Sequence, residues 1–127
     1  MKRNKSVFAV LAVALFFALV FTGCEEPEET YTVWTGTMTY SAFQAEFGGE
    51  ITNNYIASQP LTFAKRDSGV LALNGQEFEW TEEEIKNYFI SWDIPDEQVS
   101  TMTSKLINFE YGFIALREGN NVHVIIK

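Results

Sequence analysis

Val70-Leu71-Ala72-Leu73-Asn74-Gly75-Gln76-Glu77-Phe78-Glu79-Trp80-Thr81-Glu82-Glu83-Glu84-Ile85 holds the strongest local signals in the chain. Asn74-Gly75 suits a type I′ turn, whose two central residues both need positive φ. It predicts a hairpin with Val70–Leu73 as one arm and Gln76–Trp80 as the other. In the second arm Gln76, Phe78 and Trp80 alternate with Glu77 and Glu79, the period of a strand with two unlike faces. Thr81 and Glu84 then have the spacing of a capping box, and Ile85, Tyr88, Phe89 and Trp92 recur at helical spacing behind them. Trp80, just before the cap, is placed to staple onto Ile85. Strand and helix therefore meet at Trp80-Thr81.

Toward the C-terminus, Pro95 ends that helix and Asp96 is the expected cap of another, on which Val99, Met102 and Leu106 share a face. Ser100, Thr101, Thr103 and Ser104 weaken its propensity, because their side chains compete for backbone hydrogen bonds. Tyr111–Arg117 and Val122–Lys127 read as strands joined through Glu118-Gly119-Asn120-Asn121. Toward the N-terminus, Leu61–Ala64 reads as a resumed strand, Pro60 demotes any regular element through it, Tyr55–Ala57 is a short strand and Asn53-Asn54 a turn. Ser41 and Gln44 suggest a capping box opening a helix with Tyr40, Phe43 and Phe47 on one face, stopped by Gly48-Gly49. Tyr31–Thr39, rich in threonine and aromatic residues, is the first strand. This order predicts an α+β domain: a mostly antiparallel sheet with two to three short helices packed on one face.

The residues before this domain have a different character. Lys2, Arg3 and Lys5 precede an unbroken apolar run from Val7 to Phe21, followed by Thr22-Gly23-Cys24. That is the layout of a secretory signal peptide. The run has 15 residues, short of the roughly 20 needed for a membrane-spanning helix. Phe21-Thr22-Gly23-Cys24 resembles the lipobox of bacterial lipoproteins, with Phe21 where leucine is usual, a relaxation tolerated in spirochaete-type lipoboxes. The resemblance implies cleavage before Cys24 and acylation of its thiol, for instance with palmitate. It implies a division into a signal peptide (1–23), an acidic tether (24–30) and one small domain (31–127). Cys24 is the only cysteine, so acylation would consume the one thiol that could react after export. Five residues, Glu25-Glu26-Pro27-Glu28-Glu29, form a like-charge run that reaches about 17 Å when extended. Glu25 after the cysteine is not the aspartate that retains lipoproteins in the inner membrane of enteric bacteria, which favours the outer membrane or cell surface.

Cleavage before Cys24 removes three of the nine Lys and Arg and none of the 17 Asp and Glu, taking the formal charge from −8 to −11. Nucleic acid is thereby disfavoured as a partner, since its binding depends on neutralising phosphates with Lys and Arg. No cofactor, metal or catalytic site is expected. His123 is the only histidine and sits mid-strand, so histidine metal clusters and histidine relays have no second member. Gly48-Gly49 lacks phosphate-loop spacing. Glu82-Glu83-Glu84 in a first helical turn suits the helix dipole better than paired acid–base chemistry. Trp34, Trp80 and Trp92 are core material by composition, or, if exposed, a binding surface.

Trp34-Thr35, Thr39 to Gly48, Trp80-Thr81-Glu82, Ile85-Lys86, Phe89-Ile90, Gly112-Phe113-Ile114, Arg117, Gly119-Asn120 and Lys127 are similar to residues of small lipoproteins from treponemal-type spirochaetes, a group without an assigned activity. The resemblance implies an exported, lipid-anchored domain and no mechanism. The sequence reading is therefore a membrane-anchored, non-catalytic binding module, with a protein or host factor as its partner. The alternatives are an envelope inhibitor or assembly factor, or an enzyme using acidic residues such as Asp67, Asp93 and Asp96.

Overall fold

The computed structural model describes residues 28–127; Phe21, Thr22, Gly23, Cys24 and the tether up to Pro27 lie outside the described residues. The chain runs β1 (Thr30–Thr39), α1 (Tyr40–Phe47), β2 (Ile56–Pro60), α2 (Phe63–Leu73), β3 (Gln76–Thr81), α3 (Glu82–Ile90), α4 (Asp96–Asn108), β4 (Gly112–Glu118) and β5 (Asn121–Ile126). The strands form one sheet in the order β2-β4-β5-β1-β3, every pair antiparallel. The predicted α+β class and antiparallel sheet are present.

The helices differ from expectation in number and in face: four are present among the described residues, and they divide between the two sides of the sheet. β4 shows why. Phe113 and Ala115 point into a cluster with Phe43, Phe47 and Leu73 of α1 and α2, while Ile114 and Leu116 point into another with Ile85, Phe89, Val99 and Leu106 of α3 and α4. Gly112 to Leu116 are all buried, so the two-residue alternation that sorts apolar from polar on a half-covered sheet sorts one core from another here.

The largest correction falls on the opening stretch. Val70–Leu73 is no hairpin arm but the last turn of α2, and Leu61–Ala64 is not a resumed strand, since Phe63 starts that helix. Thr62 caps it, its Oγ1 accepting from Lys65 N at 3.1 Å. Asn74 closes it in the left-handed conformation, φ 50°, ψ 42°. The chemistry that suggested a turn is genuine: asparagine tolerates positive φ, and helix C-caps use that tolerance as readily as hairpins do. Gly75 is needed for a separate reason, since a Cβ there would stand 2.0 Å from Thr35 O. It lets the chain leave α2 and enter β3 directly against β1.

Smaller corrections concern caps. α1 begins one residue after β1 ends, so its cap is Thr39, whose Oγ1 accepts from Ala42 N at 3.1 Å, rather than Ser41. α4 is preceded by Pro95 in an extended conformation, with Asp96 as its first helical residue and no side-chain cap. Other expectations hold. Thr81 and Glu84 form the complete capping box of α3, at 3.3 Å and 2.9 Å, and Pro60 lies on the edge strand β2, where a missing N–H does no harm. β4 and β5 make the closing hairpin, Glu118 facing Asn121 across Gly119-Asn120 with Gly119 at φ 63°.

The sheet has two distinct ends. Thr30 pairs with Thr81, and Gly112 lies beside Pro60 and Lys127, at the end where β1 enters. Thr39, Asn121 and Glu118 mark the opposite end. β1 has 10 residues, so these ends are separated by roughly 30 Å.

Candidate functional site

The most extensive concave feature described lies at the end of the sheet away from β1's entry. On one side Asn53, Asn54 and Tyr55 lead into β2. Asn53 Oδ1 accepts from Gly119 N at 2.7 Å and Asn54 N donates to Arg117 O at 2.8 Å, which pins this loop to the β4–β5 hairpin. Asn54 has φ 66°, a conformation asparagine tolerates better than most residues, and the chain is thereby turned so that the Tyr55 side chain stands 65% exposed. On the other side is the α3–α4 corner, where Asp93 has φ 62° and its N–H donates to Ile90 O at 3.0 Å. Between them lies a cleft of about 690 Å³, walled by Asn54, Tyr55 and Ile56, by Asp93, Ile94 and Pro95, and by Gln98, Thr101 and Met102 of α4.

A second hollow of about 530 Å³ continues along α4, lined by Ser100, Thr101, Ser104, Lys105, Asn108 and Phe109. Thr101 belongs to both. Ser100, Thr101 and Ser104, three of the four residues that make α4 a poor helix former by propensity, therefore form the floor of a groove, with Val99, Thr103 and Leu106 turned inward and Met102 in its outer wall. Thr103 is buried without penalty because its hydroxyl donates to Val99 O at 2.7 Å. The outer part has an apolar wall in Tyr55, Ile56, Ile94, Pro95 and Met102, the kind of surface on which ligand sites are usually built, whereas the inner part is lined mostly by polar side chains.

The three tryptophans do not combine into a surface. Trp92 is only 8% exposed and packs edge-on against Phe89 at 5.1 Å, so the reading of it as an exposed ring is corrected. Trp80 stacks on Phe78 at 4.6 Å and leans on Tyr88, on the α3–α4 side. Trp34 packs on the opposite side with the α1–α2 core, under the Arg66 guanidinium at 5.0 Å; Phe63 and Tyr111 complete a three-ring enclosure for that cation. The acidic candidates are likewise dispersed. Asp67 accepts from Arg66 Nε at 3.0 Å on α2, whereas Asp93 and Asp96 flank the α3–α4 corner. His123 faces Glu118, Nε2 to Oε1 2.8 Å, with the Trp92 ring 6.1 Å away. Among the described residues no group of three or more His, Cys, Asp or Glu is close enough to hold a metal ion, and no helix is long and apolar enough to cross a membrane.

No known relative decides between readings of this cleft. No family model, no curated protein and no solved structure matches the chain. The cleft's own residues were partly visible in the sequence, as Asn53-Asn54, Pro95 and the threonine–serine run. What no local signal gave was that α4 would cross beside β2 and bring them together.

One half-buried ionisable group makes a pH-dependent prediction. Burial pushes the Tyr88 phenol above its ordinary value, against smaller downward pulls from hydrogen bonds with Trp92 and Thr35. The folded state therefore holds this proton more tightly than the unfolded chain, whose tyrosines ionise near pH 10. The associated stability is complete below about pH 10 and is lost as pH rises from there toward the folded value. A series of urea midpoints against pH is expected to fall above about pH 10, with a shallower fall in Tyr88→Phe. Tyr31, raised by burial and by Glu29, leaves some slope in the variant. Lys127, lowered by burial, acts in the opposite sense just below its ordinary value of 10.5. An unchanged slope in Tyr88→Phe would remove Tyr88 from this account.

Proposed function

We propose that the chain is an exported lipoprotein, anchored through acyl chains on Cys24 at the outer membrane or cell surface, whose domain is a non-catalytic binding module working through the α4 cleft. The anchoring half rests on Phe21-Thr22-Gly23-Cys24 and the basic, apolar segment before it. The binding half rests on one observation: the cleft lies at the end of the sheet opposite Thr30, where the tether joins. An anchor holding Cys24 in a bilayer would leave the domain's near end within about 20 Å of the lipid and turn the cleft outward, toward whatever is on that side. The formal charge of −11 after cleavage repels anionic headgroups and keeps the domain clear of them.

Two measurements test the halves separately. Acylation with two or three chains gives practically irreversible anchoring, each buried methylene contributing about 0.8 kcal/mol. Cys24→Ala is accordingly expected to abolish labelling by radioactive palmitate and to move the protein from the membrane to the soluble fraction. Equal membrane retention and no label in the unaltered chain would end the lipoprotein reading. For the cleft, Thr101→Arg places a long side chain at the exposed point shared by both hollows. It should abolish saturable micromolar binding to an envelope or host component recovered by pull-down, and the lack of any such component would end the binding-module reading.

A further inference from the structure

β2 is an edge strand with β4 on one side and no strand on the other. Which of its backbone groups face outward follows from its two ends. Arg117 N donates to Tyr55 O at 3.1 Å, and Leu61 N donates to Tyr111 O at 2.8 Å. Hydrogen-bonded positions alternate along an antiparallel ladder, so the positions turned toward β4 are Tyr55, Ala57, Gln59 and Leu61. Ile56 and Ser58 thus turn both N–H and C=O away from the sheet. Pro60 offers an outward carbonyl and, having no N–H, ends the sequence of donors. Among the described residues no backbone or side-chain partner bonds the outward groups of Ile56 or Ser58.

This open edge runs beside the α4 groove. Ile56 belongs to the wall of its outer part, and Ser58 Oγ lies 3.4 Å from Lys105 Nζ in its inner part. The groove's charge is polarised along its length. Asp93 lines the outer mouth, with no Lys or Arg among the lining residues there. Lys105 occupies the inner part and has no carboxylate partner among the described residues. The other edge strand, β3, carries Glu77 and Glu79 and presents itself as a charge-protected edge instead.

Resting on the reading of the cleft as the binding site, we propose that its ligand is an extended polypeptide segment that adds as a strand to the open edge of β2. Ile56 and Ser58 supply the main-chain hydrogen bonds, as strand addition to a sheet edge requires. The peptide carries a basic side chain over Asp93 and an acidic one at Lys105, the order that complements the groove, and its intervening side chains rest on Tyr55, Met102 and Thr101.

The test titrates the full-length chain against hexapeptides of alternating Val and Thr bearing Lys and Glu at opposite ends, in both orders, with an uncharged peptide for comparison. One charged order is expected to bind saturably and more tightly than the uncharged peptide. Its backbone N-methylated counterpart should bind at least about tenfold more weakly, because main-chain hydrogen bonds carry the affinity. Ser58→Pro removes one outward N–H and none that β4 uses, and is expected to weaken binding by a similar factor with little change in thermal midpoint. Asp93→Asn should reduce binding of the charged peptide and leave the uncharged one unaffected. The N-methylated peptide tests the same bonds without altering the protein, so the result does not depend on Ser58→Pro folding. No saturable binding by any of the peptides, or equal binding of the N-methylated and parent peptides, would overturn the proposal. Peptide binding lost in Thr101→Arg but intact in Ser58→Pro would retain the cleft as the site and overturn strand addition.

Discussion

Gly75→Ala is expected to destabilise the domain by about 3 kcal/mol or more, in the upper range for introducing atoms where no space exists. The added methyl would lie 2.0 Å from Thr35 O and 2.7 Å from Thr35 C, both backbone atoms of β1. A side chain could rotate away, but β1 cannot. It is hydrogen-bonded on one side to β3, where Thr35 faces Gln76, and on the other to β5, where Thr35 faces Ile125. Relief therefore requires opening the β1–β3 ladder or moving the end of α2. Asn74→Gly one position earlier retains the left-handed cap and should change stability by no more than a few tenths of a kcal/mol. Chemical denaturation of both variants checks the pair. A mild Gly75→Ala would mean that the close approach to Thr35 is not maintained in solution.

Phe113→Ala should cost about 4 kcal/mol, a large part of the roughly 5 to 15 kcal/mol that holds a domain folded. Phe113 is 2% exposed, at the point where α1 meets the sheet, with Phe47 at 4.7 Å and Phe43 edge-on at 5.6 Å. Removing one ring of three leaves a cavity that the other two, fixed on the same face of α1, cannot both close. Phe63→Ala is the matching control, since that ring is 55% exposed, and it should cost under about 1 kcal/mol through its contact with the Arg66 cation. Urea midpoints at constant slope measure both. Similar values for the two would contradict the burial difference on which the expectation rests.

These positions also show how far the sequence could be read. α3 was legible at its start and on its buried face, where Thr81 and Glu84 give its cap and Ile85 and Phe89 its core contacts, but not at its end: it stops at Ile90, so Trp92 lies in the turn beyond it and Pro95 is not what ends it. β4 and β5 were legible because Gly119-Asn120 separates two runs of strand-forming residues. α2 was misread because Val70–Leu73 is too short an apolar run to show a period, and a left-handed asparagine before glycine serves helix ends and hairpins alike. Placement of helices on both faces was hidden for a related reason. A strand buried on both sides, such as Gly112–Leu116, shows no polar alternation from which a solvent face could be inferred. The cleft joins loop 53–55 to α4 over a long sequence separation, and each half alone looks like an ordinary turn or a weak helix.

β1 is an interior strand, paired on both sides, yet its neighbours are made much later in the chain. Trp34 pairs with Glu77 on one side and with Ile126, next to the last residue, on the other. Both edges of this strand therefore remain unsatisfied until nearly the whole domain is available, and folding waits on long-range pairing, which is slow and exposes strand edges to other chains. A protein that crosses a membrane unfolded, with its N-terminus first, would face that delay each time. The threonines at 30, 32, 35, 37 and 39 suit such a wait: they favour a strand when partners come, while adding little apolar surface for an unrelated chain to hold.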